Sequence, residues 1–499
     1  MRIRYSLFGA VLILFIAASA APQRIIRPNA SVEPVIVSQP TPFPLGCNAP
    51  QTGTVYENGP VEPYVAVDPK NPLHLVGAWQ QDRWSNGGSN GTASAVSFDG
   101  GITWSPSLAK FSKCAGGVYD RASDPWVSIA ADSTVHQVAL GLNGAGRQTA
   151  IVVSRSFDGG LTWTDPFTVH FDSVGGDDKE AIVADPNDPR YVYLVWDRPG
   201  AAGNNRIVTM FSRSADAGAT WSTPAITYDP GNAAFATYHE IGVLPAGRLV
   251  DIFELTYNPA SGHTPGTWVA ASRSDDHGAT WDAPTIIAAD NSIGTVNAKT
   301  QAALRTGSGL SHVAVDSSTG AIYVVWADAR FSGGAREGIA LSRSTDGGVT
   351  WSEPAQVNRA PGVQAFTPAV AAANGRLAVS YFDFREDVDD PAVLLANAWR
   401  VFSTDAGATW TEASLAGPFD MQKAPAATNQ HFLGDYQGLV PSRTAFLSFF
   451  TVAGDAATPS RVVAVANGRR PAPLKSQRTE VNLNPRPFDP REKPPPRAK

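Results

Sequence analysis

Ser344-Thr-Asp346-Gly-Gly348-Val-Thr350-Trp351 is the stretch on which the fold turns. The same octapeptide starts again at Ser97, Ser156, Ser214, Ser274 and Ser403. Asp always stands third, Gly fifth, Thr seventh and Trp eighth. The aspartates Asp99, Asp158, Asp216, Asp276, Asp346 and Asp405 are separated by 59, 58, 60, 70 and 59 residues. A fixed period near 60 describes an array of like supersecondary units. The octapeptide itself has the chemistry of a hairpin turn. Its carboxylate accepts backbone N–H bonds, its fifth-place Gly permits positive φ, and its Trp offers a broad apolar face for packing. These six aspartates are therefore expected to be structural.

The flanks repeat as well. An apolar strand precedes each box, as at Ala150–Ser154 and Ile339–Ser342, and a short strand follows a Pro, as at Pro224–Thr227. Two more strands come earlier in each unit. The first is seen at Tyr64–Val67, Trp126–Ala130, Ala181–Ala184, Ile241–Leu244, Val313–Val315 and Ala369–Ala371. The second is seen at Leu75–Trp79, Val138–Leu142, Tyr191–Trp196, Leu249–Phe253, Ile322–Trp326 and Leu377–Tyr381. A seventh unit lacks the box but offers Gln437–Val440, Ala445–Phe450 and Val462–Val465, with Pro34–Val37 as its missing strand. Four strands per unit, with no helical period, predict an all-β β-propeller of antiparallel blades. Seven blades are expected, with six as the alternative, and an N-terminal strand closes the ring so that no edge is left open.

Composition agrees. The 499 residues include 45 Gly, 39 Pro and 13 Trp, and only 17% are charged, which suits turns and short strands rather than long helices. The net charge of −6 argues against a general nucleic-acid binder. Arg2 and Arg4, the apolar run Leu7–Ala18 and the sequence Ala18-Ser19-Ala20 read as a secretory signal peptide over residues 1–20. Residues 21–468 form the repeat body. Residues 469–499 carry nine Lys/Arg, three Asp/Glu and eight Pro, and read as a basic disordered tail. A monomer outside the cytoplasm, without a transmembrane segment, is expected. Cys47 and Cys114 are the only cysteines, and an exported chain leaves open whether they pair.

The S-x-D-x-G-x-T-W octapeptide resembles the Asp-box, or BNR repeat, of the sialidase-like superfamily. That resemblance implies a propeller whose Asp-boxes join third to fourth strands, away from the active face. It also implies that loops after second strands and loops leading into first strands line that face. The former then bring Gln81-Asp82-Arg83, Asp197-Arg198, Glu254, Asp328-Ala-Arg330 and Asp383-Phe-Arg385. The latter bring Glu62, Asp124, Asp178-Lys179-Glu180, Tyr238-His239-Glu240, His312 and Asp435-Tyr436. The Asp/Arg pairs read equally as local salt bridges.

Glu240-Ile-Gly-Val-Leu-Pro-Ala-Gly-Arg248 resembles the family segment that carries the activating Glu, and Tyr436-Gln-Gly-Leu439 the segment that carries the nucleophilic Tyr. The resemblance implies Glu240 as base or activator, Tyr436 as nucleophile, and Asp82 or Asp435 as proton donor. Arg83, Arg198, Arg330 and Arg385, with Glu62 and Asp124, would bind substrate. Val61-Glu62-Pro63 stands where the family has Arg-Ile-Pro, and Glu254 where it often has Arg. A secreted glycosidase acting at the end of a glycan, with sialic-acid-containing glycans among the candidates, is one expectation. A non-catalytic propeller that binds a glycan or a protein is the other. No cofactor is expected, although Glu62, Asp124, Asp178 and Glu180 are oxygen ligands of a kind that suits Ca2+. There is no P-loop and no H-E-x-x-H.

Overall fold

The computed structural model describes residues 33–466, apart from 49–50, 145–146, 201–204 and 443–444. The expected signal peptide and basic tail lie outside the described residues. The fold is all-β, built of four-stranded antiparallel sheets. The first sheet holds Val61–Val67, Leu75–Trp84, Ser89–Ser97 and Ser105–Ser107. The second holds Arg121–Ile129, Val135–Asn143, Gln148–Ser156 and Phe167–Asp172. The third holds Asp178–Ala184, Val192–Pro199, Ile207–Ser214 and Ala225–Tyr228. The fourth holds Ala234–Val243, Leu249–Tyr257, Gly266–Ser274 and Thr285–Ala289. The fifth holds His312–Val315, Ile322–Asp328, Gly338–Ser344 and Ala355–Gln356. The sixth holds Ala365–Ala373, Arg376–Asp383, Leu395–Ser403 and Thr411–Asp420. Single bridges link the first sheet to the second, at Ser89 and Ala122, and the third to the fourth, at Ile207 and Phe235.

A seventh four-stranded sheet joins the first and last described segments. Gly438–Ser442, Ala445–Ala453 and Ser460–Ala466 pair in order. Val35–Ile36 then adds as the fourth strand, with Val35 opposite Ala464. First strands of successive sheets lie against one another, and Gly438–Ser442 touches both Ala365–Ala373 and Val61–Val67.

Second strands are the most deeply set. Every residue of Leu75–Trp84 and of Ile322–Asp328 is buried, so both faces of these strands are packed. The apolar contact runs between sheets as well as within them. Val76 and Ala78 of the first sheet, for example, share a cluster with Val127, Ile129 and Val135 of the second.

All six octapeptides form the same turn between third and fourth strands. In the fifth sheet the Ser344 hydroxyl donates to Asp346 at 2.8 Å and accepts from the Gly348 amide at 2.9 Å. The Thr350 amide donates to the same carboxylate at 2.9 Å, as does the Thr350 hydroxyl. The Thr220 hydroxyl and then its amide hold Asp216 at a pKa of about 2, and Thr280 and Thr350 do the same for Asp276 and Asp346. Each turn also packs on the preceding sheet. Trp281 meets Phe211 edge to face at 5.5 Å, and Trp104 lies 5.5 Å from Phe449 of the seventh sheet. Gly278 has φ +79 directly over the Phe211 ring, so a side chain there meets both a backbone and a packing obstacle.

The disulfide Cys47–Cys114 is formed. It ties the N-terminal segment to the connection between the first two sheets, over 67 residues of sequence.

Candidate active site at the heads of the first strands

The first strands carry a repeated irregularity that builds the site. Register shifts fall between Val61 and Tyr64, Ser123 and Trp126, Asp178 and Ala181, Thr237 and Glu240, and Phe366 and Ala369. Within each shift one non-glycine residue takes positive φ: Glu62 at 52, Asp124 at 44, Lys179 at 54, Tyr238 at 64 and Thr367 at 47 degrees. A bulge of this kind bends the strand and re-aims a side chain. Repeated in sheet after sheet, it turns side chains from distant parts of the sequence toward one another.

Lys179 is the hub. Its ammonium lies 2.7 Å from Asp435, 3.5 Å from Asp124 and 3.8 Å from Glu62. Arg305 forks onto the same Asp435, with Nε donating to Oδ1 at 3.0 Å and Nη2 donating to Oδ2. Burial pushes Asp435 up, but Lys179 and Arg305 outweigh it and hold the carboxyl far below the usual range. Asp124 is lowered against its burial by Lys179 and by a hydrogen bond from Glu62. Burial, with the Asp124 charge adding to it, pushes Glu62 well above the carboxylate range. Lys179 itself is raised despite its burial by Asp124, Asp435 and Glu62. The acidic group that resembled a calcium site is therefore centred on an ammonium, and among the described residues no cluster of three or more metal-ligating side chains is present.

Beside this hub, Trp126, Glu180, Tyr238, Glu240, His312 and Tyr436 line one cavity. Glu180 is 2% exposed, and neither of its carboxyl oxygens has a hydrogen-bond partner. Burial, and then the Asp124 charge, raise its pKa well above the ordinary value. Glu240 is differently placed. It accepts from the Val313 amide at 3.1 Å and from the Tyr64 hydroxyl at 3.4 Å, and His312 Nδ1 lies 3.2 Å away. Further along the same strands, Tyr64, Trp126 and Glu240 also bound a second cavity of about 150 Å3. The Tyr64 and Trp126 rings stack at 3.6 Å.

The residues named from sequence thus divide. Glu240, Tyr436 and Asp124 line the cavity, and Glu62 and Asp435 stand in the hub. Tyr436 does not meet Glu240: its hydroxyl donates to the Pro125 carbonyl at 3.4 Å, and the tyrosine on Glu240 is Tyr64. Burial, and then the Glu62 charge, raise Tyr436 well above the ordinary tyrosine value. Asp82 faces the N-terminal segment, accepting from the Thr41 hydroxyl at 2.5 Å and the Asn58 amide at 2.8 Å. Arg83 is buried, donates to Gln80 at 2.7 Å and lies 5.0 Å over the Phe432 ring. Arg198 lies 3.8 Å from both Asp172 and Asp177. Arg330 folds back on Asp328 at 2.7 Å, and Arg385 bonds Asp383 and Glu412 while covering Trp399 at 3.7 Å. For these last two, the local salt bridge is the arrangement found. His239 also lines the cavity, with its Nδ1 2.9 Å from Asp251.

Sequence reasoning passed over Lys179 as the hub, Glu180 as the unpartnered acid, Tyr64 as the partner of Glu240, and Arg305 as the partner of Asp435. One signal pointed to Arg305. The box spacing of 70 exceeds the others, and the extra length forms the hairpin Thr295–Val296 with Ala303–Leu304, which delivers Arg305 at its end.

Comparison with known proteins bears on the repeats. A family model described as a BNR repeat-like domain matches residues 261–434, and one described as a BNR/Asp-box repeat matches residues 95–106. A protein named xyloglucanase from a Paenibacillus species is 33% identical over 145 residues, 26% of this chain. The chain spans 13% of that protein's length. Among solved structures, a mutant α-L-arabinofuranosidase of Fusarium graminearum is 14% identical with a TM-score of 0.47, covering 77% of this chain and 97% of its own. A Hadza microbial sialidase is 16% identical with a TM-score of 0.46, covering 80% of this chain and 75% of its own. Six turns built on one hydrogen-bond pattern, with both family models falling on those repeats, show a chain that carries BNR (Asp-box) repeats like those of the sialidase-like superfamily.

Proposed function

We propose that this chain is a glycan-acting hydrolase. In this reading residues 1–20 export it, residues 21–468 form a closed seven-bladed propeller, and residues 469–499 form a basic tail. Closure is supported by the pairing of Val35–Ile36 with Ser460–Ala466 and by Trp104 packing on Phe449. A glycan substrate is in keeping with the name of the Paenibacillus relative.

The observation that carries the chemistry is an unpartnered, proton-retaining Glu180 in the same aromatic-lined cavity as Glu240. Glycoside hydrolysis needs an acid for the leaving oxygen and a second group opposite it. Glu180 gives its proton to the glycosidic oxygen as the bond from the anomeric carbon breaks, and the electron pair leaves with that oxygen. Glu240, held by Val313, His312 and Tyr64, takes a proton from the water that attacks the same carbon. Solvent then restores both carboxyls. Asp435 has no proton to give at neutral pH, because Lys179 and Arg305 hold it ionised. Its part is to fix those two cations.

The test is purified protein against chromogenic glycosides and polysaccharides, alongside Glu180→Gln and Glu240→Gln. The expected loss is about 100-fold or more in kcat for each variant. No turnover of any glycan by the wild type, or unchanged turnover in both variants, refutes the assignment. Retained glycan binding without turnover would leave a binding propeller.

A further inference from the structure

We infer that the sugar taken by this cavity is uncharged, recognised through its hydroxyls and an apolar ring face rather than through a carboxylate. The inference rests on the cavity assigned above and names its substrate class.

Binding an anionic sugar requires cations with donors to spare, best of all forked guanidinium groups. The cations at this centre are already engaged. Lys179 is surrounded by Asp435, Asp124 and Glu62. Arg305 spends its fork on Asp435. Arg83 is 3% exposed, donates to Gln80 and lies over Phe432. Arg330 and Arg385 are bonded to Asp328 and to Asp383 with Glu412, respectively. An arriving carboxylate would have to displace Asp435 from two partners at once.

The cavity wall points the same way. Trp126, Tyr238 and Tyr436 line it together with the acids Asp124, Glu180 and Glu240, and no arginine is among its lining residues. Hydroxyl groups donate to carboxyl oxygens, and the C–H face of a neutral pyranose or furanose packs on such rings. Glu180 is a buried polar group with no partner of its own, and an uncharged hydroxyl satisfies such a group without adding a charge.

The experiment has two arms. In the first, kcat/KM is measured on methylumbelliferyl glycosides of neutral pentoses and hexoses, and on the N-acetylneuraminide and glucuronide. At least one neutral glycoside is expected to exceed both anionic ones by about 100-fold. In the second, Glu180→Gln protein is titrated calorimetrically with neutral oligosaccharides and with sialyllactose. Preference for an anionic sugar in either arm overturns the inference while leaving the hydrolase reading intact. Neutral binding without wild-type turnover supports the inference and removes the hydrolase reading. No binding and no turnover of either class overturns both.

Discussion

Replacing Lys179 with Met keeps the length of the side chain and removes one buried positive charge. The Lys179 side chain is only 9% exposed, and it faces Asp435 at 2.7 Å and Asp124 at 3.5 Å. At an effective dielectric of about 20, a unit pair at the shorter distance interacts by roughly 6 kcal/mol, and at the longer by roughly 5 kcal/mol. Much of that is offset by taking the ammonium out of water, so the expected loss of stability is about 3–5 kcal/mol, the usual consequence of leaving a buried charge without its partner. The loss should depend on pH, and its sign follows from Asp124. In the native protein Asp124 titrates below its unfolded value. It therefore adds stability above about pH 4, lost as pH falls through the lower folded value. Without Lys179, burial dominates and the folded value rises above the unfolded one, so the variant gains relative stability as it takes up a proton on acidification. Guanidinium denaturation of both proteins, followed by tryptophan fluorescence at pH 7.5 and pH 4.5, reads the difference. A large gap at pH 7.5 that narrows at pH 4.5 is expected. A gap near zero, or one that widens in acid, would refute the picture of Lys179 as the charge that holds the centre together.

Other consequences are as direct. Glu180→Gln should raise stability at pH 7–8 while abolishing turnover. The native acid titrates above its unfolded value, so it costs stability at a pH where the unfolded chain is ionised and the folded one is not, and thermal melts at pH 5 and pH 8 check this. Cys47→Ser with Cys114→Ser should cost about 4 kcal/mol, from the loop-closure entropy of a 67-residue separation, as read by denaturation with and without reductant. Asp346→Ala removes the acceptor of a Ser, a Thr hydroxyl and two amides, and should cost about 1–3 kcal/mol. Because Asp346 titrates near 2, the wild-type contribution of that turn is present above about pH 4 and fades as pH falls toward 2, and an acid titration of the two proteins should converge there.

How far the sequence led depends on which forces are local. The octapeptide is a complete local instruction. Ser, Asp, Gly and Thr satisfy one another within eight residues, so the turn and the strands on each side follow from reading it. The strands were legible only up to their bulges. Tyr64–Val67 was expected as a strand, and Val61–Val67 is observed, because the pattern breaks at Glu62 where φ becomes positive. That break is where the site lies. Glu62-Pro63, Asp124-Pro125 and Thr367-Pro368 share a composition that suits a bulge, since Pro gives no N–H to the ladder. Pairings across hundreds of residues left no such trace. Tyr64 and Tyr436 both stand near Trp126, and nothing in their flanking residues says which of them reaches Glu240. The Asp/Arg pairs failed as an argument for a reason of scale. Asp328 and Arg330 are two residues apart, and the short-range bond is satisfied before any axial partner can compete.

The strand Val35–Ile36 lies beside Ser460–Ala466, so one sheet is woven from the first and last described parts of the chain. A ribosome releases Val35 long before Ala464, and that sheet stays incomplete until Ser460–Ala466 has emerged. A nascent or truncated product that lacks Ser460–Ala466 offers the bare margin of Ala445–Ala453 to a neighbouring chain or a protease. In the closed ring proposed above, the order of the sheets is a circle with an arbitrary starting point. A permuted gene that links residue 466 to residue 35 and begins at the Asn374-Gly375 turn would present the same neighbours to every strand, and its assembly would be governed by a different last stitch.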